Sequence, residues 1–399
     1  MIPCVVVLLI TATTLCFGQS LPPKQAYPFT VKQIHSGHSL TDPLFYPHWP
    51  GQYVNLMSTV LQQPAWQLTD RTIGKSTIPG SSMSARWQKP PANNSPDARN
   101  GIANWEVLSI TERVPLLYEG GSTQQWYIDA LAEQREMLSL FTNNAWTNGN
   151  NGKGAATLLW TTWTHVDGSS GPFRQTLDVQ GREWERMQDY ANARRVAGSP
   201  PVCLIPGHKM MARLYDDIQQ GVVPGITNIT QFFSDQIHTN ELGAYAISLI
   251  HYACIFNKSP LGLPNNLLPN AASGTPIPSP ELARYIQTMV WDVVTLYDRT
   301  GITASTSVVD SASANAPHIF PNPASIGITI NLGAAAASNV SVILYDLTGT
   351  AVRATHIYAG SSATIMDLQG LPCGHYTARI GDGRGIAPLD HFIPLSFCP

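Results

Sequence analysis

Residues Ala156-Thr157-Leu158-Leu159-Trp160 form a short, largely apolar run of the kind that fills a strand covered on both faces. Val107-Leu108-Ser109-Ile110 and Val202-Cys203-Leu204-Ile205 have the same character, and Val31 to Ile34 reads as a weaker first strand with Lys32 and Gln33 inside it. Helical spacing lies between and after these runs. Gln124 to Phe141 spaces Trp126, Ile128, Leu131, Met137, Leu138 and Phe141 along one face, and Arg182 to Arg195 is a more polar helix. Leu242 to Phe256 and Glu281 to Tyr297 are two more, the second following Pro280 where a helix start is expected. Strands alternating with helices imply an α/β unit: a parallel sheet with helices on both sides. In such a sheet the ligand crevice lies beyond the carboxyl ends of the strands.

Further along, the texture changes. Ile326 to Leu332, Val340 to Tyr345 and Tyr376 to Ile380 alternate apolar and polar residues, with Gly349 and Gly360 as turn signals. The expected organisation is a signal peptide over 1–18, an α/β domain over 19–302, a Ser/Thr/Ala-rich linker over 303–316, and a small all-β sandwich over 317–399. The signal rests on the run from Val5 to Ile10 and on small residues before a cut at Gln19. No later run is long enough for a transmembrane helix.

Composition narrows the class. The 399 residues are 43% apolar and 12% charged, with a net charge of -3. Such a chain holds a large core, and it has no basic field for nucleic acid or for an anionic membrane. Low charge with 31 Gly and 31 Pro suits an exported protein with long polar loops. Of six cysteines, four follow the signal, and the domain division would pair Cys203 with Cys254 and Cys373 with Cys398, one of three connectivities.

Three short stretches hold candidate chemistry. Gly37-His38-Ser39-Leu40-Thr41 follows the first strand, where a serine in a tight turn exposes its hydroxyl and its own N–H. Pro79-Gly80-Ser81-Ser82 offers a glycine N–H to a developing oxyanion. Asp235-Gln236-Ile237-His238 places a carboxylate three residues before a histidine, which would fix the ring tautomer and leave Nε2 free as a base.

In order and placement these stretches resemble the SGNH (GDSL-type) hydrolases. Gly37-His38-Ser39-Leu40-Thr41 is similar to their first block, Gly80 to their second, and Asp235-x-x-His238-x-Asn240-x-x-Gly243 to their fifth. The resemblance spans about Phe29 to Arg299. It implies a flavodoxin-like three-layer α/β fold and a serine esterase without metal or other cofactor. Ser39 would be the nucleophile, His238 the base and Asp235 its orienting carboxylate. The N–H groups of Ser39 and Gly80 would form the oxyanion hole, with the Thr111 hydroxyl as a third donor. Glu112, His165 and Trp163 would line the substrate. Two positions depart from the family: His38 stands where it has Asp, and Thr111-Glu112 where it has a Gly-x-Asn-Asp block. An ionised glutamate cannot donate as an Asn amide does, so Glu112 would have to be protonated by burial.

The expected substrate is an ester, an acetylated glycan being one candidate. A catalytically impaired glycan-binding protein of the same fold is the alternative. A metal site from His35, His38 and Glu112 is the weakest reading, because no further ligand stands at a fixed spacing.

The C-terminal region resembles a type IX secretion sorting domain. The residues that carry this are Pro321-Asn322-Pro323-Ala324, Leu344-Tyr345-Asp346-Leu347-Thr348-Gly349, and Leu368-Gln369-Gly370-Leu371-Pro372 with Gly374 and Tyr376. The resemblance implies the type IX secretion machinery as a partner and a secreted or cell-surface location.

Overall fold

A computed structural model describes residues 21–89, 91, 95–116, 125–303, 318–320, 327–332, 334–346, 350–381 and 391–397. The expected signal peptide lies outside these residues, as does the linker beyond its first residue. The chain divides into two compact units, Met1–Ala304 and Ser305–Pro399. Among the described residues no helix is long and apolar enough to cross a membrane.

The first unit is built on five strands: β1 (Gln33–Gly37), β2 (Ile73–Thr77), β3 (Val107–Ile110), β4 (Ala156–Thr161) and β5 (Cys203–Pro206). All neighbours pair in parallel in the order β2-β1-β3-β4-β5, one of the two common doubly wound orders. The helices are α1 (Gln52–Leu61), α2 (Ala65–Leu68), α3 (Met83–Gln88), α4 (Gln125–Gly152), α5 (Phe173–Arg194), α6 (Gly207–Gln219), α7 (Glu241–Phe256) and α8 (Pro280–Leu296). Side chains alternate across the sheet, so Leu158 and Trp160 enter one core while Leu159 enters the other. Helix α7 is buried from Gly243 to Phe256. Its Ile247, Leu249, Ile250, Ile255 and Phe256 are fully buried, each worth roughly 1.5–3 kcal/mol. Ser279 caps α8 by accepting the Leu282 N–H at 3.2 Å, and Pro280 starts it.

The first strand is Gln33–Gly37, not Val31 to Ile34, and all five residues are buried. It carries Gln33, His35 and Ser36, of whose polar atoms Gln33 Oε1, His35 Nε2 and Ser36 Oγ find partners inside, while Gln33 Nε2 and His35 Nδ1 are buried without one among the described residues. Gln33 Oε1 accepts from Tyr53 OH at 2.8 Å and lies 3.1 Å from His35 Nε2. The His35 ring packs 5.6 Å from the ring of His251 on α7.

In the second unit, β6 (His318–Phe320), β7 (Gly327–Asn331) and β10 (Ala363–Asp367) make one antiparallel sheet. A second sheet holds β8 (Val340–Tyr345), β9 (Ala351–Ile357), β11 (Gly374–Gly381) and β12 (His391–Phe397). Ile328, Ile330 and Met366 from the first sheet meet Val342, Leu344, Ala378 and Ile380 from the second in one apolar core.

Cys203 and Cys254 are free, buried thiols rather than a disulfide. Cys203 begins β5 and Cys254 sits late in α7, so both fill the core as small apolar groups. The expected Cys373–Cys398 pair falls on Cys398, which lies outside the described residues.

Candidate functional site

The carboxyl ends of β1, β2 and β3 deliver three loops to one place. After β1, Gly37 allows a tight turn, since a Cβ there would stand 2.0 Å from Thr41 Oγ1. His38 is fixed at both ring nitrogens. Nδ1 accepts the Leu40 N–H at 3.3 Å, so Nε2 carries the proton and donates to the Glu112 carbonyl at 2.9 Å. Burial, reinforced by the charge of Arg86, holds its pKa down at about 4, so the ring is neutral at neutral pH. His38 thus links the β1 and β3 loops and fixes the turn that presents Ser39.

Ser39 is half-buried, and among the described residues its hydroxyl has no hydrogen-bond partner within the chain. Its N–H and that of Gly80 likewise have no acceptor there. Gly80 is exposed with φ +66, a left-handed conformation that glycine adopts without strain, and a Cβ would meet nothing within 4 Å.

His238 stands on the loop before α7. Its Nδ1 lies 2.7 Å from Asp235 Oδ2, while Asp235 Oδ1 accepts the N–H groups of Ile237 at 2.8 Å and His238 at 2.7 Å. Burial alone would raise the Asp235 pKa. The backbone N–H groups of His238 and Ile237 and the His238 ring outweigh it and hold the pKa at about 2. Asn240 then caps α7, accepting from Leu242 at 3.0 Å and Gly243 at 3.3 Å. A Cβ at Gly243 would lie 2.7 Å from the Phe232 carbonyl, so this glycine permits close packing. The ring of His238 is near enough for its charge to depress the pKa of His38, the residue preceding Ser39. Asp235 and His238 are therefore joined, whereas Ser39 makes no hydrogen bond to His238.

Of the other expected site residues, Trp163, Glu112 and Thr111 turn inward. Trp163 is fully buried and donates Nε1–H to the Ile237 carbonyl at 2.9 Å, so it anchors the His238 loop instead of lining substrate. Glu112 is 1% exposed, and its carboxylate accepts the N–H groups of Met83 at 3.0 Å and Arg113 at 2.6 Å. Burial pushes its pKa up against the opposing charge of Arg86, but its geometry is that of an acceptor inside the protein. Thr111 is fully buried; its hydroxyl points at the Glu112 carbonyl at 3.4 Å rather than at an oxyanion. His165 is half-buried, 2.8 Å from Ser170 Oγ through Nδ1. It borders a cavity of about 470 Å3 together with Asp167, Thr230, Asp235 and Gln236.

Sequence reasoning missed Arg86. This buried guanidinium donates to Ser36 Oγ on β1 at 3.1 Å, to the Ser81 carbonyl after β2 at 2.8 Å, and to the Thr111 carbonyl after β3. Burial lowers its pKa to about 10, opposed by the nearby Glu112 charge. The only signal in the sequence was a lone arginine just after the Gly80 loop in a charge-poor chain. A second cavity, of about 430 Å3, lies at the opposite end of the sheet beside Lys24, Glu106, Ala156 and Cys203.

The secretion system C-terminal sorting domain model matches residues 318–387. The chain carries a type IX sorting domain there and is a secreted or cell-surface protein. No curated protein matches the chain in sequence. A solved DUF4886 family protein from Bacteroides uniformis is similar over 67% of this chain and 95% of its own, at 13% identity and TM-score 0.41. A gut microbial diltiazem-metabolizing enzyme is similar over 59% of this chain and 48% of its own, at 14% identity and TM-score 0.37.

Proposed function

We propose that the first unit is an SGNH-type serine esterase, exported by the type IX route, that hydrolyses short acyl esters. The observation that supports this is the Asp235–His238 pair at 2.7 Å before α7, together with a serine after β1 whose hydroxyl and N–H are both uncommitted among the described residues. Asp235 holds the Nδ1 proton of His238, which leaves Nε2 as the base. Nε2 takes the Ser39 proton as Oγ attacks the ester carbonyl. The negative charge on the tetrahedral oxygen falls to the N–H groups of Ser39 and Gly80. His238 returns the proton to the leaving alcohol, and a water activated by the same ring releases the acid from the acyl-enzyme. The Ser39–His238 hydrogen bond would form with substrate in place, since such bonds are often long in unliganded sites.

A second reading is a glycan-binding protein that does not hydrolyse. The inward-turned Thr111 and Glu112 favour it, because they leave the oxyanion with two donors, and one lost donor costs about 2.7–4 kcal/mol. Hydrolysis of p-nitrophenyl acetate by the full chain, beside Ser39→Ala, separates the two. The esterase reading expects a fall of at least about 10³-fold in the variant. Equal inertness of both proteins favours binding alone.

A further inference from the structure

We infer that Tyr46 and Trp49 form a stacking shelf for a neutral sugar ring at the rim of the Ser39 site. Both rings face solvent, Tyr46 at 45% and Trp49 at 57% exposure, with centroids 6.2 Å apart and planes inclined by 36°. What sets this pair apart from a lone exposed ring such as Trp66 is that two aromatic rings stand together, so a ligand can meet both. The segment is held rather than loose. Phe45 anchors it in the core, and Pro47 and Pro50 restrict the residues before them. Lys75 Nζ lies over the Tyr46 ring, 4.3 Å from its centroid, which helps hold the ring in place.

Its ends are tied to both sides of the site. Asp42, three residues after Ser39, accepts from Thr77 Oγ1 at 2.7 Å and from Lys75 Nζ at 3.1 Å, which fixes it to the end of β2 before Gly80. His48 Nε2 lies 3.2 Å from Glu241 Oε1 at the start of α7, three residues after His238. The shelf therefore spans the gap between the oxyanion side and the base side.

The rim selects the occupant. Among the described residues, Asp42 Oδ2 and Glu241 Oε2 have no hydrogen-bond partner. An aliphatic chain over the rings would strip water from these oxygens without replacing it, and the carboxylates of an anionic polymer would bring acceptors to oxygens that need donors. A pyranose presents C–H groups on its face and hydroxyl donors on its edge, which satisfies rings and carboxylates together. The inference rests on the esterase reading only in taking the bound ring to be part of the substrate.

The test uses the full chain with Ser39→Ala, which removes turnover. It is titrated by calorimetry with xylohexaose, cellohexaose and mannohexaose, and with hexagalacturonate as the anionic control. At least one neutral hexasaccharide is expected to bind, and the anionic one is not. Adding Trp49→Ala should weaken binding at least about tenfold, Trp49→Phe should keep most of it, and Trp66→Ala, 68% exposed on α2, should stay within about twofold. Matched melting curves guard against a misfolded variant. The shelf is overturned if no neutral hexasaccharide binds, if Trp49→Ala and Trp49→Phe bind as tightly as their parent, or if hexagalacturonate binds equally well. Trp49-dependent binding with no p-nitrophenyl acetate hydrolysis by the parent would sink the esterase and leave the shelf standing. Hydrolysis without sugar binding would do the reverse.

Discussion

Arg86 donates through Nε to the Ser36 hydroxyl at 3.1 Å, joining the helix after β2 to the strand that delivers Ser39. The same guanidinium reaches the carbonyls of Ser81 and Thr111, so one cation holds three loops. Arg86→Met would leave the buried Ser81 and Thr111 carbonyls without this donor, at a cost of about 1–3 kcal/mol for each. Arg86→Lys should recover only part of this, because an ammonium lacks the planar fork. Urea midpoints decide it: an unshifted midpoint for Arg86→Met would show that the clamp adds nothing to stability.

Asp235→Asn keeps the shape of the turn but removes the charge that fixes His238. Under the esterase reading, kcat should fall between about 10² and 10⁴-fold, with little change in melting temperature. The smaller figure is favoured, because the pair is exposed to water that competes for it. A kcat within threefold of the parent would remove Asp235 from the mechanism.

Acid should unfold the first unit through its buried histidines. Burial lowers the pKa of His251 to about 4 and of His208 to about 3, and drives His35 well below its ordinary value. The unfolded chain takes up protons near pH 6.5 and the folded one does not, so stability is complete above that pH. It declines as pH falls from about 6.5 toward 4, on the order of 3 kcal/mol for His251 alone. Melting temperatures between pH 7.5 and 4.5 should trace this loss, and His251→Leu should flatten it. An unchanged slope in that variant would clear His251 of the effect.

The thiols of Cys203 and Cys254 should resist alkylation in the native protein and react once it is denatured without reductant. Burial raises both pKa values, that of Cys203 to about 11, so little thiolate forms. Peptide mass spectrometry reads the outcome directly. A Cys203–Cys254 crosslink would contradict it.

The parts of the fold that were legible in the sequence are those where burial and type agree. Val107–Ile110, Ala156–Thr161 and α8 follow apolar runs and a capped, proline-led start. The first strand was misplaced because Gln33, His35 and Ser36 look like surface residues until Tyr53, His251 and Arg86, distant in sequence, meet them. Helix α6 escaped notice because Gly207-His208-Lys209 opens it without a usual cap. At the site, the local Asp235–His238 pairing was readable from a spacing of three. Glu112 and Trp163 were not, since neither motif nor spacing tells which way a side chain turns after a strand.

At the end of the sheet away from Ser39, the Lys24 N–H donates to the Gly301 carbonyl at 2.6 Å, and Asn257 Nδ2 reaches the Lys24 carbonyl at 2.7 Å. The described path of the first unit therefore begins and finishes at the same spot, so its chain is nearly a closed ring. A ring has no obligatory starting point. Joining the segment at Lys24 to Gly301 and reopening the chain at the exposed turn of Gly274 should yield a circular permutant with the same sheet order. The order in which the strands leave the ribosome would then be separable from the order in which they pair.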